Sequence, residues 1–298
     1  ADGDNAVFGN VKFNLANATG KTDVINFTFG NKGVAMAKDA TVNIGTLNNS
    51  GNNVEKLNFT FSDLAASNTV TVADINDSTL KTLNVTSDSK VVMNLVNDLV
   101  KLTAVDASGV KAGFTAAFGA LGAETDASIT LGGAGKNNVT VIKAESAVVA
   151  TAPATHKTLM VDGSTGTGDQ SITVTNNDAD LTVGAAASVM IMGGSGGDTI
   201  SANSVTANVT TAISGGAGID TIVLSGLGHN VLVMGLGDTG ASVATGDNVT
   251  GFVSAKDLID LRNFGFDSAL QGVTVSATAL NGTANEFGLG ALQKAVAS

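Results

Sequence analysis

Gly193-Gly-Ser-Gly-Gly-Asp-Thr-Ile200 and Gly215-Gly-Ala-Gly-Ile-Asp-Thr-Ile222 decide how this chain is read. Both fit the nonapeptide G-G-x-G-x-D-x-U-x, in which a glycine-rich turn hands over to a short strand. The glycines permit positive φ, so the turn can fold its carbonyls inward. The Thr-Ile pair then starts a strand whose isoleucine points to a core. Such a turn gives half of an oxygen cage, and the turn stacked on it gives the rest. Carbonyls and carboxylates are hard oxygen ligands that suit Ca²⁺. The expected ligands are Gly193, Ser195, Gly197 and Asp198 in the first copy, and Gly215, Ala217, Ile219 and Asp220 in the second. A glycine-rich turn with an incidental Asp is the competing reading, and two full copies count against it.

Degenerate copies flank these. Ser225-Gly-Leu-Gly-His-Asn230 carries a neutral Asn230 where the acid stands, and Met234-Gly-Leu-Gly-Asp238 lacks the first glycine. Asn230 and Asp238 are therefore weaker candidate ligands. From Gly215 onward the copies start about nine or ten residues apart, the period of a β-roll. Gly132-Gly-Ala-Gly-Lys-Asn137 reads as a structural turn.

Outward from the glycines, short β-type runs dominate, among them Lys56–Phe61, Thr82–Thr86, Val139–Ile142 and Ser171–Val174. Their alternation and their Gly, Asn and Asp boundaries are those of half-buried strands. Val54-Glu-Lys-Leu-Asn-Phe59, Leu80-Lys-Thr-Leu-Asn-Val85, Leu99-Val-Lys-Leu102 with Val105-Asp106, and His156-Lys-Thr-Leu-Met-Val161 repeat one rung. Together they predict an all-β chain: β-solenoid or β-helix rungs over residues 1–150, continuing into a calcium-binding β-roll over 151–298, with a soft boundary near Pro153. Ala107–Gly122 and Ala284–Ala297 are the two segments expected to be helical.

Composition excludes several functions. The net charge is −11 and no Lys/Arg cluster is present, which argues against nucleic acid. No stretch approaches the roughly 18 apolar residues of a membrane span, so no membrane insertion is expected. The absence of Cys removes disulfides and thiol chemistry. Gly193-Gly-Ser-Gly-Gly197 formally matches a nucleophile elbow, but a strand follows where a helix should. Leu15–Thr22 falls one residue short of a P-loop, and Asp23–Phe29 reads as strand. His156 and His229 have no second histidine at ligand spacing and are read as surface residues. The many Asn-x-Ser/Thr triplets, including those at Asn26, Asn58 and Asn84, are read as cross-strand Asn and Thr pairing.

The two nonapeptides resemble those of RTX proteins, which leave the cell by type I secretion and fold on extracellular calcium. Gly246-Asp-Asn-Val-Thr-Gly-Phe252 with Lys256-Asp-Leu-Ile-Asp-Leu261 is similar to the end of RTX β-rolls. The resemblance implies that Asp257 and Asp260 help close a last calcium site. Asn17–Asn26, the Leu-Asn rungs and Val105-Asp-Ala-Ser-Gly109 are similar to the lattice-forming region of RTX-type S-layer proteins. The implied protein is an extracellular, non-catalytic surface-layer component. Its implied cofactor is Ca²⁺ and its implied partners are copies of itself and cell-surface polysaccharide. An RTX adhesin that binds glycans or a host surface is the alternative, and the calcium-binding tail of a secreted hydrolase is a third. That family's chains continue past the position matching Asn285–Ala297, so the resemblance implies a fragment of a longer protein.

Overall fold

The structure is a computed structural model. It describes residues 5–13, 20, 22–30, 39–49, 54–96, 99, 101–121, 125–144, 157–178, 188–207, 209–235, 237–238, 246–263 and 286–287. The strands in chain order are β1 (Asn5–Phe8), β2 (Val11–Phe13), β3 (Val24–Gly30), β4 (Thr41–Asn49), β5 (Lys56–Ser62), β6 (Thr69–Asn76), β7 (Thr82–Ser87) and β8 (Lys90–Leu95). Next come β9 (Ala104–Val110), β10 (Phe114–Leu121), β11 (Ala127–Leu131), β12 (Asn137–Lys143), β13 (Leu159–Asp162), β14 (Gln170–Asn176) and β15 (Val189–Met192). The last are β16 (Thr199–Ser204), β17 (Thr210–Ser214), β18 (Thr221–Gly226), β19 (His229–Gly235), β20 (Asp247–Thr250), β21 (Leu258–Asn263) and β22 (Glu286–Phe287).

From β3 to β21 the strands alternate between two sheets. The even-numbered ones stack from β4 to β20 in one, and the odd-numbered ones from β3 to β21 in the other. Every pairing along these two runs is parallel. Parallel neighbours need a crossover between them, and here each crossover is the strand of the opposite sheet. The result is a flattened β-solenoid with two strands per coil. Coil length varies: Thr69 lies opposite Lys90, 21 residues on, and Asn137 opposite Gln170, 33 on. The expected all-β solenoid is therefore what the chain adopts. Its coil pattern continues through the nonapeptide region without a change of architecture. β11 pairs with β13 and β12 with β14 across the expected boundary near Pro153, which itself lies outside the described residues.

The period-2 alternation sends one face of every strand inward. In the odd sheet, Leu83, Val105, Ile129, Val161, Ile191, Ile213 and Leu232 lie one above the next in register. In the even sheet, Val139, Ile172, Ile200, Ile222 and Val249 do the same. All are buried. Each apolar side chain thus covers its neighbours in the coils before and after, and a core forms without Trp or Tyr. Phenylalanine is concentrated at the amino-terminal end, where Phe27 stacks on Phe59 and Phe29 on Phe61, with ring centroids 5.2 and 5.5 Å apart.

Outward-facing positions pair across coils in the same way. Asn58 donates from Nδ2 to Asn26 Oδ1 (2.7 Å), and Asn84 donates to Asn58 Oδ1 (2.9 Å). The Asn-x-Thr triplets at these positions are ladder residues. The expected helix over Ala107–Gly122 is replaced by the end of β9 and by β10. Alanine favours a helix, but Phe114, Ala116, Phe118 and Leu121 are buried with exposed or half-exposed residues between them. The period-2 burial of these apolar side chains and the pairing of β10 with β8 and β12 override alanine's helix propensity. The expected helix over Ala284–Ala297 lies outside the described residues except for β22.

Candidate metal site

The flattened coil has two corners. At the first, an odd strand ends and the chain turns into an even strand; at the second, an even strand turns back. Met192 and Ser214 end β15 and β17, so both full nonapeptides lie at the first corner, one coil apart. β19 ends at Gly235, which brings Gly235–Asp238 to that corner too, while Gly226–Asn230 lies at the second. The period of nine or ten is therefore an alternation of corners.

The turns stack through main-chain bonds. Ala217 N donates to Gly194 O (2.9 Å), Ser195 N to Gly166 O (3.1 Å) and Thr167 N to Gly133 O (2.9 Å). Gly216 and Gly218 have φ of 91° and 136°, a region costly for residues with a Cβ. A Cβ on Gly216 would also overlap the carbonyl of Gly194 below it. Ile219, by contrast, is exposed.

The acid ending the glycine turn of each full nonapeptide sits one residue before an even strand and points inward. There it accepts a hydrogen bond from the coil below. Asp198 Oδ1 accepts from Gln170 N (2.7 Å), Asp220 Oδ1 from Asp198 N (2.8 Å) and Asp247 Oδ1 from Asp220 N (3.0 Å). Asn137 holds the equivalent place lower in the stack and accepts from Phe114 N (2.8 Å). The result is one ladder of buried polar side chains, in which the acids continue what Asn137 begins.

What separates these rungs is the second side-chain atom. Asn137 Nδ2 donates to Gly132 O (3.0 Å), the first glycine of its own turn. Asp198 Oδ2 accepts from Gly194 N (2.6 Å). Gly197 N donates to Asp169 Oδ1 (3.1 Å). Asp220 Oδ2 is buried and has no hydrogen-bond partner. It lies so close to Gly215, the first glycine of its own turn, that a Cβ there would overlap the carboxylate. Asp238, whose Oδ2 accepts from Gly235 N (2.6 Å), and Asp247 line a small cavity with Gly215 at the same corner.

The electrostatics follow from this crowding. Burial pushes the Asp220 carboxyl up to about 7, and the negative charges of Asp247, Asp198 and Asp238 push the same way against the Asp198 N–H. Burial, with Asp238 nearby, raises Asp247 to about 6 against the pull of the Asp220 N–H. Burial also raises Asp198, but N–H groups of Gly194 and Gln170 oppose it. A buried carboxylate without a donor is costly unless a proton or a cation neutralises it.

The structure thus gathers Asp198, Asp220 and Asp238 among the expected ligands at the first corner, together with the turn residues Gly193, Ser195, Gly197, Gly215, Ala217 and Ile219. It places Asn230, Asp257 and Asp260 elsewhere. Asn230 and Asp257 meet at the second corner, where Asp257 Oδ1 accepts from Asn230 N (2.9 Å) and Asn230 Nδ2 (3.0 Å). Asp260 lies in β21, opposite Val233. His229, read as a surface residue, is half-buried, with Nδ1 2.7 Å from Lys256 O. Gln170 and Asp247 were missed as members of the ladder, and Asp169 as the exposed acceptor beside it. Asp247 shares the acid-x-Val/Ile pattern of Asp198-Thr-Ile and Asp220-Thr-Ile, but its glycine turn lies farther back in sequence.

The acid side chains and turn carbonyls at the first corner are hard oxygen ligands, and the orphaned Asp220 oxygen calls for positive charge, so the residues fit a hard cation such as Ca²⁺. Among the described residues no three His, Cys, Asp or Glu side chains converge to hold a metal by themselves. A cation here would therefore need main-chain carbonyls as well. Comparison with protein-family models, with curated proteins and with solved structures gives no match for this chain.

Proposed function

We propose that the chain is a non-catalytic structural protein of a bacterial surface layer, a solenoid stapled by Ca²⁺ at its first corner. The observation that carries the calcium reading is the buried Asp220 Oδ2 without a donor, in a carboxyl that feels the negative charges of Asp247, Asp198 and Asp238. Asn137 shows by contrast what that rung lacks. Its amide supplies the N–H that reaches the first turn glycine, whereas Asp220 offers only acceptors. Asp220 Oδ2 and turn carbonyls such as that of Gly215 would hold the ion, with Asp238 and Asp247 adding negative charge nearby. When bound, calcium supplies the positive charge that lets these oxygens lie together. The chain's own part is to fix their positions. Asp220 Oδ1 is held by Asp198 N, Asp247 Oδ1 by Asp220 N, and Asp238 Oδ2 by Gly235 N.

Self-assembly is supported by the resemblance of the Leu-Asn rungs to RTX-type S-layer proteins and by the shape of the coil. A flattened solenoid offers two broad sheet faces, rich in Thr, Ser and Asn and carrying exposed Met190, Val223 and Leu258. Contacts between unlike faces that do not close into a ring propagate as open arrays. Electron microscopy of the protein in saturating calcium and in chelator tests this. Planar arrays that form in calcium and disperse in chelator are the expected result. A protein that stays monomeric with calcium bound would overturn the lattice reading, and glycan binding by that monomer would favour an adhesin.

A further inference from the structure

The second corner of the last coils solves the same problem with a side chain. Gly226-Leu-Gly-His-Asn230 is the degenerate nonapeptide in which the acid is replaced by Asn230. Gly226 has φ 88°, and Leu227 N donates to Ser204 O (2.6 Å), so the turn stacks on the coil below as the full copies do. Its carbonyls are engaged from the coil above. Lys256 Nζ donates to Gly226 O (2.7 Å) and to Gly228 O (3.0 Å).

We infer that this turn is a cation cradle whose resident cation is the Lys256 ammonium, so that the second corner is locked without metal. Several bonds place the ammonium there. Asp257 Oδ1 accepts from Asn230 N and Nδ2, and its Oδ2 accepts from Val253 N (2.8 Å). Lys256 N and Asp257 N both donate to Val253 O, at 2.9 and 2.8 Å, which curls Val253–Asp257 into a tight turn above Gly226–Asn230. Lys256 O in turn lies 2.7 Å from His229 Nδ1. The lysine is thus gripped on both sides and its Nζ delivered to two main-chain carbonyls. A bond from an ammonium to a carbonyl is charge-assisted and roughly twice as strong as a neutral one. Asn230 fits this arrangement: its Nδ2 donates to Asp257 Oδ1, where an Asp would set two carboxylates against each other.

The inference rests on the bonds of this turn and does not require calcium at the first corner. Hydrogen-exchange mass spectrometry of the whole protein, in calcium and in chelator, tests it with Lys256→Met and Lys256→Ala. Both variants are expected to lose at least tenfold protection over 226–230 and 253–257 in chelator, while the turns at 193–198 and 215–220 keep their wild-type exchange in each buffer. Millimolar n-propylammonium, which replaces the deleted ammonium in Lys256→Ala, is expected to restore protection, and tetramethylammonium, which cannot donate a hydrogen bond, is not. Wild-type protection over 226–230 in Lys256→Met, or equal rescue by the two ammonium salts, would overturn the inference.

Discussion

Replacing Asp220 with Asn should strengthen the metal-free protein and weaken its response to calcium. The buried carboxyl is shifted from 3.8 to about 7, a difference of about 3 units, and each unit corresponds to about 1.4 kcal/mol. A carboxyl whose pKa rises on folding destabilises the native state once ionised. That penalty is absent below the unfolded value, grows from about pH 4 and is complete above about 7. Its ceiling is therefore about 4 kcal/mol at pH 8. The Asn side chain removes the charge, and its Oδ1 can still accept from Asp198 N. Its Nδ2 can donate to Gly215 O as Asn137 Nδ2 does to Gly132 O, for about 1 kcal/mol. Local relaxation in the wild type offsets part of the gain, so about 2–4 kcal/mol is the expected stabilisation in chelator at pH 8. Urea unfolding at pH 8 and pH 5, with and without calcium, gives the numbers. The gain should fall to roughly half or less at pH 5, where the native carboxyl is protonated but the unfolded one is already ionised, and calcium should stabilise the variant less than the wild type. An Asp220→Asn protein less stable than wild type in chelator at pH 8 would refute the reasoning.

In chelator the wild type should lose stability as pH rises from about 4 to about 7, because the unfolded carboxyls of Asp247 and Asp220 ionise first and the native ones only at about 6 and about 7. Unfolding midpoints across that range show the slope, which saturating calcium should flatten. Gly215→Ala places a methyl against the Asp220 carboxylate and should cost about 1–3 kcal/mol as an overpacked site, read by denaturant unfolding in calcium. Leu83→Ala opens a hole among fully buried side chains and should cost about 2–5 kcal/mol, with little effect on calcium affinity by titration calorimetry.

The rungs were legible because their signal is local. Leu57 and Leu83 each lie in a Lys-Leu-Asn or Thr-Leu-Asn repeat, and the structure sets them opposite one another with Asn58 and Asn84 facing out. The glycine turns were legible for the same reason, each carrying its acid within six residues of sequence. Two features needed the third dimension. Ala104–Val110 and Phe114–Leu121 carry helix-favouring alanines, and only their pairing with strands of the coils on either side shows why they are extended. The role of Asp247 follows from its register above Asp220, because Thr221 lies opposite Asn248. That register depends on the length of the intervening loop, which sequence spacing does not reveal. Lys256 was hidden likewise, since its carbonyl partners lie 28 and 30 residues earlier.

A crystal structure of calcium-soaked protein, with anomalous differences collected to locate the metal, tests the central claim most directly. An ion at the first corner within about 2.3–2.6 Å of Asp220 Oδ2, sharing ligands with Asp238, Asp247 or the Gly215 carbonyl, is the expected result. An ordered corner with no anomalous peak there, at calcium concentrations that occupy other sites on the same molecule, would contradict it.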